Sequence, residues 1–252
     1  MGAGRGGAGR TTLAMEVAAA LSGSARRVLL VDADPVDPDL DVKLGATNLE
    51  SDGCPGARLD RVLLRLPELV EHRIHLDAVL WASPQTGVRA LLAPDPGVEI
   101  GREHLDYLFS YLLAPAFDAI VVDAGPALEP SCARSAASVA FWLEVADSVL
   151  LPLRPTISSA RSAVKGLRLF ESMGVPPSRC RLVLGIDRTE STSSALNPRW
   201  LRDYAVVRWP WVPQVAREAE RDHRPLAACD RKFSQSMDGL LPELATHRRI
   251  GS

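Results

Sequence analysis

The chain has 252 residues, of which 46% are hydrophobic and 24% charged, enough to bury a full core within one soluble domain. With 29 Lys and Arg against 31 Asp and Glu the net charge is -2, which argues against a protein coated in basic charge that holds nucleic acid by bulk electrostatics. Cys54, Cys132, Cys180 and Cys229 form no Cys-x-x-Cys pair and have no His at ligand spacing, so neither a zinc site nor a disulfide framework is signalled and reduced cytosolic thiols are expected.

A first helix is expected over Thr11 to Leu21. Arg5 and Arg10 followed by this apolar stretch imitate a secretory leader, but Glu16 interrupts it. A strand over Val28 to Val31 follows, then a loose surface loop, Asn48 to Gly56, and a helix over Leu59 to Val70. Ala90 to Leu92 reads as a strand, Glu103 to Leu113 as a helix and Ala119 to Val122 as a strand. Tyr107 to Val122 is the most apolar later stretch, yet Pro115 and Asp118 interrupt it and it falls short of the ~20 residues that span a bilayer, so no transmembrane segment is expected. Strands over Val149 to Leu153, Leu182 to Ile186 and Ala205 to Val207 then alternate with helices over Ser158 to Met173, Pro198 to Tyr204, Val215 to Asp222 and Phe233 to His247.

The strand candidates are continuously apolar rather than alternating, as parallel strands covered on both faces are. Their alternation with helices specifies an α/β, doubly wound, mostly parallel sheet with helices on both faces. No repeat, low-complexity tract or long linker divides the chain, so residues 1–252 read as one domain.

Arg5-Gly6-Gly7-Ala8-Gly9-Arg10-Thr11-Thr12 opens the first helix. A glycine-rich turn at a helix N-terminus presents backbone N–H groups and the positive end of the helix dipole to one point, which suits a polyphosphate. Thr11 would offer its hydroxyl to Mg²⁺. A flexible glycine-rich terminus is the alternative. Two strands then end in acids, Val31-Asp32-Ala33-Asp34-Pro35 and Val122-Asp123-Ala124-Gly125-Pro126. Strand ends on that edge of an open parallel sheet face the ligand crevice, where a carboxylate can hold a metal's water shell or orient an attacking water.

With these residues, and with Ala146-Asp147-Ser148-Val149-Leu150-Leu151 and Val212-Pro213 through Arg217-Glu218-Ala219 to Arg224-Pro225-Leu226, the chain resembles the ParA/MinD superfamily of P-loop ATPases, whose loop has the deviant Walker A form Lys-Gly-Gly-x-Gly-Lys-Thr. Gly87-Val88-Arg89-Ala90-Leu91-Leu92-Ala93-Pro94 ahead of the Asp123 strand is most similar to the CpaE/TadZ branch, which places pilus and secretion machinery. The resemblance implies a P-loop NTPase fold of the SIMIBI type, with ATP and Mg²⁺ as cofactors. It implies that Gly6, Gly7, Ala8, Gly9, Arg10, Thr11 and Thr12 cradle the phosphates, that Thr11 ligates Mg²⁺ directly and Asp123 through water, and that Asp34 positions the hydrolytic water. Asp32 is either a further part of the metal site or an acid capping its own turn. Pro213 would border the adenine. Asp187, where the family often places Asn, would accept from the base or stand as a solvated loop acid.

The pattern breaks at three places. Arg5 and Arg10 replace both family lysines, and a planar guanidinium is no equivalent of a compact ammonium at a phosphate, although it can hold phosphate bidentately. Slow turnover is the consequence expected. Asp187 is the second departure. The third is the strand that leads into the glycine loop in the family, which has no counterpart in the residues before Arg5.

The resemblance thus implies a switch that forms a homodimer when ATP is bound, with Arg5 reaching the facing subunit's phosphates as an arginine finger would. A protein of a localisation or secretion machine would be its partner, and the site expected is the cytoplasm, with recruitment to membrane or pole by that partner. A non-hydrolysing localisation scaffold and a DNA-partition or cell-division ATPase are the alternatives. For DNA, Arg217, Arg221, Arg224, Arg231 and Lys232 alternate with Glu218, Glu220, Asp222 and Asp230, a solvated mixed-charge surface rather than a basic stripe. Phe233, Met237, Leu240, Leu241 and Leu244 form a stripe that is expected to dock on the sheet rather than on a membrane, because Pro242 interrupts it.

Overall fold

In a computed structural model that describes residues 9–24, 26–34, 37–46, 56–72, 74–113, 116–125, 136–154, 156–187 and 204–245, the run Val28–Asp32 is strand β1 and all five residues are buried. Its side chains alternate between two cores. Val28 and Leu30 pack with Leu13 and Val17, whereas Leu29 and Val31 pack with Leu59, Leu105 and Phe141. Both faces of β1 are therefore covered, the physical reason its sequence shows no alternation.

β1 lies between β3 (Arg89–Leu91) and β4 (Ala119–Asp123) and runs parallel to both. β2 (Trp81–Ala82) adds an antiparallel edge to β3, a two-residue strand too short to show any period in the sequence. A second, parallel sheet has the order β5 (Val149–Leu153), β6 (Cys180–Asp187), β7 (Ala205–Trp211). Helix α1 (Arg10–Ser22) packs against strands of both sheets, and Val183 and Trp209 of the second share one core with Leu30 of the first. The α/β class and the helices on both faces agree with the expectation.

Several elements differ in extent. The helix expected over Leu59 to Val70 is two short ones, α2 and its successors in chain order being Leu40–Leu44 (α2), Leu59–Leu64 (α3) and Leu66–Glu71 (α4). Pro67 has no N–H and disfavours a helical residue before it, so one helix ends and another starts there. α5 (Arg102–Leu108) continues as a π-helical turn over Phe109–Leu113. α6 (Ala136–Val145) was not expected. α7 (Ile157–Ser172) begins where the Thr156 hydroxyl accepts the Ser159 N–H at 3.2 Å. α8 (Pro213–Arg221) has proline in its first turn, and α9 (Arg231–Ala245) carries Pro242 inside it. The helix expected over Pro198 to Tyr204 and most of the Asn48 to Gly56 loop lie outside the described residues.

The terminal helix α9 docks on β7 and α1, as its stripe predicts. Phe233, Met237 and Leu240 are buried, and the Phe233 ring meets Trp209 of β7 at 4.9 Å between centroids. Such a ring pair contributes about 1 kcal/mol beyond the area it buries. No helix among the described residues is long and apolar enough to cross a membrane.

Glu16 ties α1 to the turn at residues 226–228. Its carboxylate is 2% exposed and accepts the N–H groups of Leu226 at 2.5 Å and Ala227 at 3.1 Å. Burial pushes its pKa up to about 7, against the lowering effect of those two hydrogen bonds. Between pH 4.5 and 7 the folded chain thus holds a proton that the unfolded chain has released, so stability falls as pH rises through that window. The interval from 4.5 to about 7 corresponds to about 3 kcal/mol at most. Melting temperature is expected to drop between pH 5 and pH 8, and Glu16→Gln to flatten that part of the curve; an equal slope in the variant would contradict it.

Candidate nucleotide and metal site

The site is assembled by register. β1 and β4 pair so that Asp32 stands opposite Asp123, and the Ala33 N–H donates to the Asp123 carbonyl at 2.8 Å. Two adjacent parallel strands therefore deliver their terminal acids side by side, with Asp34 two residues further on. Asp32, Asp34 and Asp123 are 2%, 8% and 4% exposed.

Each acid has its own surroundings. Asp32 accepts the backbone N–H of Asp34 at 3.1 Å and of Leu40 at 3.3 Å, one on each oxygen, and so braces the turn between β1 and α2. Those two contacts are what an acid capping its own turn makes. Burial, with Asp123 and Asp34 nearby, raises its pKa to about 7 against the pull of the two N–H groups. Asp123 accepts the Gly125 N–H at 3.3 Å and is hydrogen-bonded by the Thr11 hydroxyl. Burial raises its pKa, Thr11 and Gly125 lower it, the Asp34 charge raises it and the Arg10 charge lowers it. Asp34 accepts the Asp37 N–H at 3.1 Å.

The helix start faces this cluster. Gly9 takes the left-handed conformation, φ 79°, and its carbonyl accepts the Leu13 N–H at 2.8 Å, while no side chain caps α1. Positive φ is the conformation that glycine adopts without strain. An uncapped helix start with its dipole's positive end suits an anion. Arg10, Thr11 and Thr12 are half-buried in its first turn.

Three acids gathered at one place, two of them with raised pKa values, need positive charge to ionise together. A hydroxyl beside a carboxylate is the donor set Mg²⁺ takes when phosphates and water supply its other ligands. No three His, Cys, Asp or Glu among the described residues form a cage for a metal by themselves. Thr11 and Asp123 fit the hydroxyl-and-carboxylate role.

The remaining expected residues divide as follows. Arg5, Gly6, Gly7 and Ala8 lie outside the described residues. Asp187 ends β6 in register with Trp211 of β7, and Pro213 opens α8 two residues after Trp211, so their backbones stand at the ends of neighbouring strands. Sequence reasoning missed Gly125. Its φ is +59°, and a methyl group there would overlap the Asp34 carboxylate. The signal was present in Asp123-Ala124-Gly125, but the contact depends on how β1 and β4 pair. Gly125→Ala is expected to cost about 1–2 kcal/mol from the left-handed backbone alone and to displace Asp34, seen as a melting temperature lowered by several degrees together with lost turnover. A variant as stable as the parent would refute the close approach.

Comparison with known proteins agrees with this geometry. Residues 2–207 match the CobQ/CobB/MinD/ParA nucleotide binding domain. The septum site-determining protein MinD of Thermotoga maritima is 24% identical over 184 residues, 72% of this chain and 60% of that protein, so the chain matches less than two thirds of that relative's length. Among solved structures, a ParA family ATPase from Chlorobium tepidum superposes with a TM-score of 0.73 at 22% identity, covering 94% of this chain and 95% of that one. MinD of Pyrococcus horikoshii, solved with Mg-ADP, superposes with a TM-score of 0.64 at 18% identity over 98% of this chain and 96% of that one. The chain belongs to the CobQ/CobB/MinD/ParA nucleotide binding domain family.

Proposed function

We propose that the chain is a Mg·ATP-binding switch that dimerises when nucleotide is bound, hydrolyses ATP slowly and positions a cellular machine such as a pilus or secretion apparatus, as the CpaE/TadZ branch does. The observation that carries this reading is the hydrogen bond between Thr11 at the start of α1 and Asp123 at the end of β4, beside Asp32 and Asp34. Bound Mg²⁺ would neutralise charge on the β- and γ-phosphates. The α1 N-terminus would hold the phosphates, Arg10 would lie against the transferring group, and Asp34 would orient the attacking water. Asp32 keeps the turn that carries Asp34 in place. Asp187 and Pro213 would border the base.

The two arginines of the loop favour a second reading, a localisation scaffold that binds ATP without cleaving it, and steady-state turnover with Mg·ATP separates the two. The dimer is tested at Arg5. Arg5→Ala is expected to weaken dimerisation with a non-hydrolysable ATP analogue more than it weakens nucleotide binding by the monomer, measured by sedimentation. An unchanged dimer fraction would remove the cross-subunit role. A protein partner would then recruit the cytoplasmic dimer to membrane or pole; salt-sensitive retention on DNA would point to partition instead.

A further inference from the structure

Helix α8 ends in a left-handed cap. The His223 N–H donates to the Glu220 carbonyl at 3.2 Å and the Arg224 N–H to the Ala219 carbonyl at 2.8 Å, the pair of bonds that closes a helix around a left-handed residue. Glycine is the usual occupant of that position, because it takes positive φ without strain. Here the occupant is His223, with φ 50°, and no other non-glycine residue among the described ones has positive φ. Residues in such sparsely populated conformations persist where their surroundings hold them, and they gather at functional sites.

The half-buried His223 ring holds the far end of α2. Its Nδ1 lies 3.1 Å from the Lys43 carbonyl, and since a carbonyl only accepts, Nδ1 carries the proton. The Asp41 and Val42 carbonyls already accept the N–H groups of Ala46 at 2.7 Å and Gly45 at 3.1 Å, so the ring takes the next of the helix-end carbonyls. Gly45 lies directly under it, where a methyl group would meet the ring Cδ2 at 3.0 Å. Lys43 adds a second tie, its Nζ lying 2.7 Å from Asp39 and 3.8 Å from Glu220 of α8. At its other end α2 hangs from Asp32, one oxygen of which accepts the Leu40 N–H while the second accepts the Asp34 N–H. A five-residue helix is far too short to stand alone, so what grips its two ends decides its place.

We propose that His223 is a positioning residue for Asp34: its ring seats the C-terminal end of α2, and through α2 and Asp32 it sets the turn on which Asp34 stands. This rests on the reading of Asp34 as the group that orients the attacking water. A chain of contacts runs from His223 to Lys43, along α2 to Leu40, and through Asp32 to Asp34. The same segment holds α1 as well, because Leu226 and Ala227, just beyond His223, donate to Glu16. The end of α8 thus bears on both the helix that starts at Thr11 and the turn that carries Asp34, by two separate routes. Loss of the ring cuts only the second route, so hydrolysis should suffer while nucleotide binding at the α1 start does not.

The test compares His223→Gly and His223→Asn with the parent. Glycine keeps the left-handed cap and removes the ring, whereas asparagine tolerates the same backbone and offers an amide N–H where Nδ1 stood. His223→Gly is expected to cleave Mg·ATP about tenfold more slowly, with KM and ADP affinity moved less than about twofold, and His223→Asn to recover turnover to within about threefold of the parent. The melting temperature of His223→Gly should stay within about 3 °C of the parent's, since relief of the left-handed backbone offsets the lost hydrogen bond. Amide exchange without nucleotide gives a readout independent of activity: residues 37–44 are expected to exchange about tenfold faster in His223→Gly and at the parent's rate in His223→Asn, with β4 unchanged in both. Unchanged exchange over residues 37–44 overturns the proposal, as does a fall in turnover matched by a fall in melting temperature or in ADP affinity, the mark of a cap that only stabilises. A parent that binds Mg·ATP without cleaving it overturns the role given to Asp34 and the hydrolytic reading with it, and the exchange measurement alone then decides whether His223 holds α2.

Discussion

Asp123→Ala is expected to lower Mg-dependent nucleotide affinity by about 10- to 100-fold, the range in which loss of a metal-orienting group falls, while leaving Mg-independent binding close to the parent's. The carboxylate is buried, paired by register with Asp32 and hydrogen-bonded by Thr11, so in the proposed reading it would join a metal held at the α1 N-terminus to the sheet. Asp123→Asn preserves the volume and an acceptor for the Gly125 N–H, and serves as the variant that folds if the alanine does not. Asp34→Ala should act differently, retaining binding and losing turnover, because Asp34 stands beyond the strand end on a turn held by Asp32 and Asp37. Equal loss of binding in the Asp123 and Asp34 variants would contradict the division of roles.

Arg10→Lys is expected to raise ATP hydrolysis tenfold or more. One well-placed charge at the transferring phosphate is worth roughly 10³ to 10⁵ in rate, and a guanidinium cannot occupy the position between phosphate oxygens that an ammonium does. Arg10 also lies near enough to Asp123 for its charge to lower that group's pKa, so the two share one electrostatic environment. Turnover unchanged by the substitution would mean that arginine serves as well as lysine in this loop. Nucleotide affinity should move little, since in the proposed reading the backbone of the helix start would supply most of the phosphate contacts.

Much of the fold could be read before any coordinates because β1, β4 and β5 carry unbroken apolar runs, and their acids fall at the strand ends that open sheets use. α6 escaped notice for the same physical reason that makes it part of the core. Ala136–Val145 has almost no polar face, so no helical period stands out, and its Phe141 and Trp142 are buried in the molecule. The second half of β7 was missed because Arg208 and Pro210 argue against a strand, yet among the described residues β7 pairs only with β6, and a strand paired on one side tolerates a proline.

The site was legible as a set of residues and illegible as a set of contacts. Thr11, Asp32, Asp34 and Asp123 were visible as a glycine-loop helix start and two acidic strand ends. That Asp32 spends both oxygens on backbone N–H groups, one of them eight residues away in α2, depends on a short helix that no pattern announced. The approach of Gly125 to Asp34 depends on the pairing of β1 with β4, and pairing partners are not encoded locally. Glu16 read as a blemish in an apolar stretch and is instead a buried acceptor for a turn some 210 residues away.

Titration calorimetry with ADP and with a non-hydrolysable ATP analogue, in Mg²⁺ and again in excess chelator, tests the glycine-loop site most directly. One nucleotide per chain is expected to bind in Mg²⁺ and to bind at least tenfold more weakly in chelator, with the Mg²⁺ dependence lost in Asp123→Ala. A chain shown to be folded by its melting transition that takes up neither nucleotide, or binds both as well without Mg²⁺, would contradict a Mg·nucleotide site formed by Thr11 and Asp123.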